Sequence, residues 1–232
     1  MIHKKEMIAN LIERFENKDM GSKLDKEYFK GIYKDAVREF YPRLKEKYAD
    51  QSIYGISFEI ANVVQSVYAD YFKTFVYFNT EEMYQENIEN CEEDELSYYR
   101  FEPWAEWDVM ESKSLQFDKV QDYLQQNSLY VCFNISDDRD ELGKAAAWYE
   151  EMEDDFSDAF DKECEQIRLW LAEALGELRK EGFWEEQGNA GLYVLPFGGE
   201  CDIEQEEMIE TYRVMDCGYH GEEYLEYLEE NI

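Results

Sequence analysis

The side chains best suited to recognising another molecule gather between positions 92 and 108. Glu92, Glu93 and Asp94 form the acidic centre of the run 91–95, and Tyr98, Tyr99, Trp104, Glu106 and Asp108 follow at close spacing. Tyrosine and tryptophan offer large contact area at modest entropy cost and dominate interface hot spots, while carboxylates between them can pair with lysine or arginine. The competing assignment is structural: tryptophan is highly buried on average, so these rings can equally belong to the core with solvated acids between them.

Other chemistry finds less material. His3 and His220 are the only histidines, too few for a histidine-based acid–base or metal site. His220 lies close to Gly218 and Gly221, a turn setting. Asp138, Asp140 and Gly143 match loop positions one, three and six of a calcium loop, but Leu142 and Tyr149 stand where further ligands are required. Glu106 with Asp108, or Asp154 with Asp155, are carboxylate pairs of the kind glycosidases use, yet a chain with 56 acidic residues makes such pairs by composition. Glycine-rich phosphate loops and a nucleophile elbow are absent. Five cysteines at scattered spacings, without a C-x-x-C, read as reduced thiols rather than a disulfide framework or zinc site. No catalytic residue, cofactor or metal is expected.

Charge carries more information. The chain has 23 basic and 56 acidic residues, a net charge of −33. Residues 1–50 hold 12 basic and 10 acidic side chains, so the excess lies beyond them. Three blocks supply most of it: 79–111 (12 acidic, 1 basic), 137–165 (13 and 3) and 200–232 (12 and 1). Such a field repels nucleic acid and membrane surfaces and speeds encounter with cationic partners. Solubility alone is the plainer reading of the same charge.

The elements that must position these residues follow from periodicity. Residues 53–78 are dense in β-branched and aromatic side chains, and Tyr54, Ile56, Phe58 and Ile60 alternate with Gly55, Ser57 and Glu59, giving one apolar face. A turn is expected at Ala61-Asn62, with one bent strand or two from Val63 to Phe78. Apolar spacing predicts a helix over 1–17, a second over 24–48 with Pro42 kinking or stopping it near Phe40-Tyr41, and a helix opening at Asn79 as N-cap with Glu82 three residues on. Residues 98–110 read as a strand-like excursion or surface loop, 117–124 as a short helix, and 129–135 as a strand or buried helix end. The longest helical region opens at Ser136-Asp137-Asp138, repeats at helical spacing over 156–181 and ends at Gly182. A late strand near 191–197 carries Pro196, which suits an edge or strand end, and an acidic helical pair follows at 204–215 and 222–228. The expectation is a single acidic α+β domain over 1–232, with 1–20 as a peripheral helix. Its small antiparallel sheet, the meander at about 53–78 plus the strand near 191–197, would be flanked by several helices. No run is long and apolar enough to span a membrane, and no signal peptide is read at the N-terminus, so a cytoplasmic location is expected.

The order of these motifs resembles a known family. IYGISFEI (53–60), FNTEE (78–82), Arg100 with Pro103, Glu106 and Trp107, FDKVQDYL (117–124) and ELRKEGFW (177–184) together resemble the bacterial family called domain of unknown function 4303. The family is associated with polymorphic toxin loci as presumed immunity proteins. The resemblance therefore implies a protective binder rather than an enzyme. Together with the acidic charge it leads to the expectation of an immunity protein that binds a cognate basic toxin domain, a nuclease among the candidates, and occludes its cationic groove. It brings no set of functional residues with it. Glu92, Glu93, Asp94, Tyr98, Tyr99, Trp104, Glu106 and Asp108 are the expected partner-binding residues, joined by at least one other acidic block. A nucleic-acid mimic directed at a DNA-binding protein, or a carboxylate enzyme with a divalent metal, are the alternatives.

Overall fold

β-branched and aromatic side chains of 53–60 and 74–80 build the centre of the molecule. In the computed structural model, β1 (Ile53–Val63) and β2 (Tyr71–Thr80) pair antiparallel in register from Val63↔Tyr71 to Ile53↔Thr80. The structure describes residues 9, 13, 16, 17, 19, 21–63, 71–92, 95–102, 107–111, 114–129, 145–196 and 205–231. Two short strands extend the hairpin into a four-stranded sheet of order β3-β2-β1-β4: β3 (Asp108–Glu111) runs antiparallel to β2, and β4 (Tyr193–Leu195) runs parallel to β1. The fold is α+β. The late strand joins the sheet as expected, but in parallel, because the chain re-enters from helices on one face instead of through a hairpin. Pro196 follows β4 directly, where an edge strand has no ladder to lose.

Ala61 and Asn62 lie inside β1, paired with Lys73 and Phe72, and not in a turn. A second correction bears on the site. The ladder slips between Ile53 and Gly55, and this bulge breaks the alternation. Ile53, Ile56 and Phe58 face the larger core, whereas Tyr54 packs in a separate aromatic cluster on the other side.

Helices cover both faces. On the first, α1 (Lys26–Lys47), α4 (Leu115–Asn127) and α5 (Ala145–Lys180) bury Phe29, Tyr33, Val37, Phe40, Leu44, Phe117, Leu124, Leu171 and Leu175 against Ile56, Phe58, Val76 and Phe78. Asp25 caps α1 by accepting from Tyr28 N–H at 2.8 Å, and Ser114 caps α4 by accepting from Phe117 N–H at 3.1 Å. Pro42 does not stop α1. It lies on the exposed side, where the Arg38 carbonyl it leaves unpaired can meet water, while Tyr41 and Leu44 hold the following turn in the core. Gly182, at φ 78°, ends α5 in the left-handed conformation and leads into α6 (Phe183–Glu186).

Three lysines of α1 pair with acids of α5. Lys30, almost fully buried, pairs with Glu177 at 2.6 Å and Glu173 at 3.2 Å on α5; Lys26 adds Glu173 at 2.7 Å; Lys34 adds Glu177 and Glu181 at 2.6 and 3.0 Å; Arg38 closes the row on Glu181. Four basic side chains of α1 thus neutralise part of α5 and Glu181 just beyond it.

On the second face lie α2 (Glu81–Asn87), α3 (Leu96–Phe101), α7 (Gln205–Asp216) and α8 (Glu223–Asn231). Thr80, not Asn79, is the N-cap of α2, accepting from Met83 N–H at 3.2 Å; Glu82 instead accepts from Ser52 N–H at 2.9 Å. Residues 96–101 are helical and 108–111 form a strand, so the 98–110 stretch is neither one excursion nor one loop. The long helix is described from Ala145 and covers the expected 156–181 stretch to Lys180, while its expected opening at 136–138 lies outside the described residues; the acidic pair at 204–215 and 222–228 is present as α7 and α8. Of the expected helix over 1–17, residues 9, 13, 16 and 17 are helical; most of 129–135 lies outside the described residues. No described helix is long and apolar enough to cross a membrane.

Candidate functional site

Short α3 is anchored by tyrosines reaching it from three other elements. The bulge in β1 turns Tyr54 toward it, and the Tyr54 hydroxyl donates to the Arg100 carbonyl at 3.2 Å. Tyr84 of α2 donates to the Leu96 carbonyl at 3.4 Å, and Tyr227 of α8 donates to Glu102 at 2.6 Å. Phe101 is buried beneath, with its ring centroid 5.4–5.6 Å from those of Tyr193, Tyr224 and Tyr227. Trp107 completes the cluster edge-on to Tyr54 at 5.9 Å, over the bare backbone of Gly55. The aromatic content of the 98–108 stretch is therefore partly core: Phe101 and Trp107 are buried, and Tyr99 is half-buried against the same cluster.

Between α3 and α8 opens a shallow cleft of about 280 Å³, lined by Tyr84, Ser97, Arg100, Glu223, Glu226 and Tyr227, among others. Its lining acids, Glu223 and Glu226, both come from the 200–232 block; acids of the 79–111 block stand behind the lining, Glu81 beside Arg100 and Glu102 on the Tyr227 hydroxyl. Glu223 and Glu226 are exposed on α8, and the Tyr193 hydroxyl donates to Glu223 Oε2 at 2.6 Å, fixing that carboxylate. Burial, then the Glu223 and Glu102 hydrogen bonds, push the Tyr193 and Tyr227 phenols well up, so both remain donors.

Arg100 is the cation of the cleft. Its guanidinium carbon lies 4.6 Å from the Tyr54 ring centroid and 5.3 Å from that of Tyr84, with one nitrogen 3.4 Å from Glu81 Oε1. Burial opposes its charge, but Glu81 foremost, with Tyr54 and Glu223, outweighs burial and holds its pKa above the ordinary arginine value.

Of the expected partner-binding residues, Tyr98 is exposed on α3 with its ring 5.8 Å from that of Tyr99, and Glu92 is exposed just before the helix. Asp108 is exposed on edge strand β3 and does not line the cleft. Glu93, Asp94, Trp104 and Glu106 lie outside the described residues. Reading the sequence missed Tyr84, Glu223, Glu226 and Tyr227. The repeat EYLEYLEE at 223–230 held a signal, since its tyrosines and leucines fall on one helical face and its acids on the other.

His220 is a fastener near this region. Its Nδ1 lies 2.5 Å from Asp216 Oδ1, its backbone N–H donates to Asp216 Oδ2 at 2.9 Å, its Nε2 lies 3.2 Å from the Gly191 carbonyl, and its ring stacks on Tyr193 at 4.0 Å. Burial would raise the Asp216 carboxyl, but the His220 hydrogen bonds and the His220 and Arg179 charges hold it below the usual range. Among the described residues no three His, Cys, Asp or Glu side chains are grouped to hold a metal. Compared with known proteins, the chain matches no family model, no curated protein and no solved structure.

Proposed function

We propose that this protein is an immunity-type inhibitor that binds a cognate basic toxin domain and blocks it by occlusion, with the α3–α8 cleft and the acids around it as the contact face. The observation that carries the reading is the cleft where α3 meets α8: Glu223 and Glu226 of the 200–232 block line it beside fixed tyrosine rings, and Glu81 and Glu102 of the 79–111 block hydrogen-bond to its Arg100 and Tyr227. The pairing of Lys26, Lys30 and Lys34 with α5 supports it further, because these cations are matched within the protein and leave the cleft acids uncompensated by them. Charge of this kind sets the association rate, and a buried aromatic slows release. Exposed Tyr98 is a better anchor than Tyr99, which already belongs to the protein's own packing.

The test is stopped-flow binding to the product of the neighbouring gene, which the proposal expects to carry a basic toxin domain. Glu92→Lys with Glu226→Lys is expected to slow association about tenfold or more and flatten its salt dependence, with dissociation little changed. Tyr98→Ala is expected to speed dissociation. Absence of a complex, or association untouched by the reversals, would overturn the assignment.

A further inference from the structure

Arg100 is held in place without being satisfied. A guanidinium has five N–H donors. Among the described residues, the only hydrogen bond Arg100 makes is to Glu81, at 3.4 Å, long for a charge-assisted bond. Two other arginines show what a structural guanidinium looks like in this fold. Arg179 donates to the Leu192 and Ala190 carbonyls at 2.6 and 3.5 Å, and Arg168 donates to the Glu207 carbonyl, the Glu207 carboxylate and the Thr211 hydroxyl at 2.7–3.2 Å. Arg100 instead has two ring faces to orient it and a side chain a quarter exposed at the cleft. Orientation by tyrosine faces leaves donors available for a planar acceptor, and carboxylate is the group a guanidinium fork matches.

The surroundings decide what can deliver that carboxylate. Glu223 and Glu226 line the same cleft, and the Glu223 charge reaches Arg100. A uniformly basic segment would bring a cation against Arg100; a uniformly acidic one, or a phosphate, would meet the two glutamates. A segment alternating in charge offends neither. We propose that Arg100 is a carboxylate-binding subsite of the α3–α8 cleft, and that the cleft selects a partner segment in which an Asp or Glu is flanked by Lys or Arg. The proposal rests on the inhibitor reading and adds to it a source of discrimination that bulk negative charge lacks.

The full chain, at low ionic strength, is titrated with three capped tripeptides, Lys-Glu-Lys, Lys-Gln-Lys and Lys-Lys-Lys, and with inorganic phosphate, while NMR follows the Arg100 Nε–Hε signal and the amides of 96–101 and 223–227. Lys-Glu-Lys is expected to bind about 5- to 10-fold more tightly than Lys-Gln-Lys and to move the Arg100 signal. Arg100→Lys is expected to keep the remaining spectrum but reduce that ratio to within about twofold, since an ammonium cannot form the bidentate pair. A structural staple would give no such carboxylate preference. Equal binding of Lys-Glu-Lys and Lys-Gln-Lys by the wild-type chain, a ratio retained by Arg100→Lys, a phosphate response as large as that to Lys-Glu-Lys, or no binding at all would each overturn the subsite. The wild-type comparison stands even where the variant fails to fold. Tight Lys-Lys-Lys binding at the cleft without carboxylate preference removes the subsite but leaves the inhibitor reading standing, which the toxin association rates judge separately.

Discussion

Gly55 shows how much of the site depends on one missing side chain. A Cβ at this position would sit 2.3 Å from Trp107 Cη2 and 2.9 Å from Cζ2, so only glycine lets the indole lie against β1. Trp107 in turn supports Tyr54, and Tyr54 supports Arg100. Gly55→Ala is expected to cost about 1–3 kcal/mol through overpacking, read as a lower urea midpoint together with a shift in tryptophan emission. An unchanged midpoint would mean that Trp107 does not pack there. This part of the site was only half legible in the sequence. Phe58 and Ile56 announce their face by alternation, but counting by twos places Tyr54 beside them, because a bulge leaves no mark in a hydrophobicity pattern. Arg100 stands out as the lone basic residue of its block, yet its aromatic seat comes from residues 54 and 84, which nothing local connects to it.

Among the elements, α1 and α5 owe their pairing to charge as well as to apolar burial. Burial would raise the carboxyls of Glu173 and Glu177, but hydrogen bonds from Lys26, Lys30 and Lys34 outweigh it and hold both below the ordinary glutamate value. A carboxyl lowered on folding contributes stability that is fully present above its unfolded value and is lost as pH falls through the folded one. Lys30→Met removes the buried member of the row while Lys26 and Lys34 still serve the two glutamates. The expected cost near neutrality is about 1–2 kcal/mol, between figures for exposed and buried pairs, with a shallower acid limb of stability against pH. Urea titrations across the acid range check both; a parallel acid limb would show that these glutamates do not depend on Lys30. The helices themselves were largely legible, since their spacing at three and four survives burial, whereas the partnership of α1 with α5 was not: the two are over a hundred residues apart, and lysines on a helix face read equally well as solvated surface.

For the molecule as a whole, the balance is between contact pairs and long-range repulsion. The pairs between α1 and α5 sit at 2.6–3.2 Å and are partly shielded from water, so added salt weakens them little. The excess of 33 negative charges acts over longer distances, and at low ionic strength each carboxylate repels many others. Screening to about 8–10 Å at physiological salt removes most of that repulsion in the folded chain, while the expanded unfolded chain, whose charges already stand further apart, gains less. Stability is therefore expected to rise between low and physiological salt, seen as a higher urea midpoint with an unchanged slope. Lys30→Met should rise at least as much, because it retains the repulsion and has fewer pairs to lose. A flat or falling trend in the wild-type chain would mean that local ion pairs outweigh the repulsion, and that the acidic surface imposes less strain on the free protein than its charge implies.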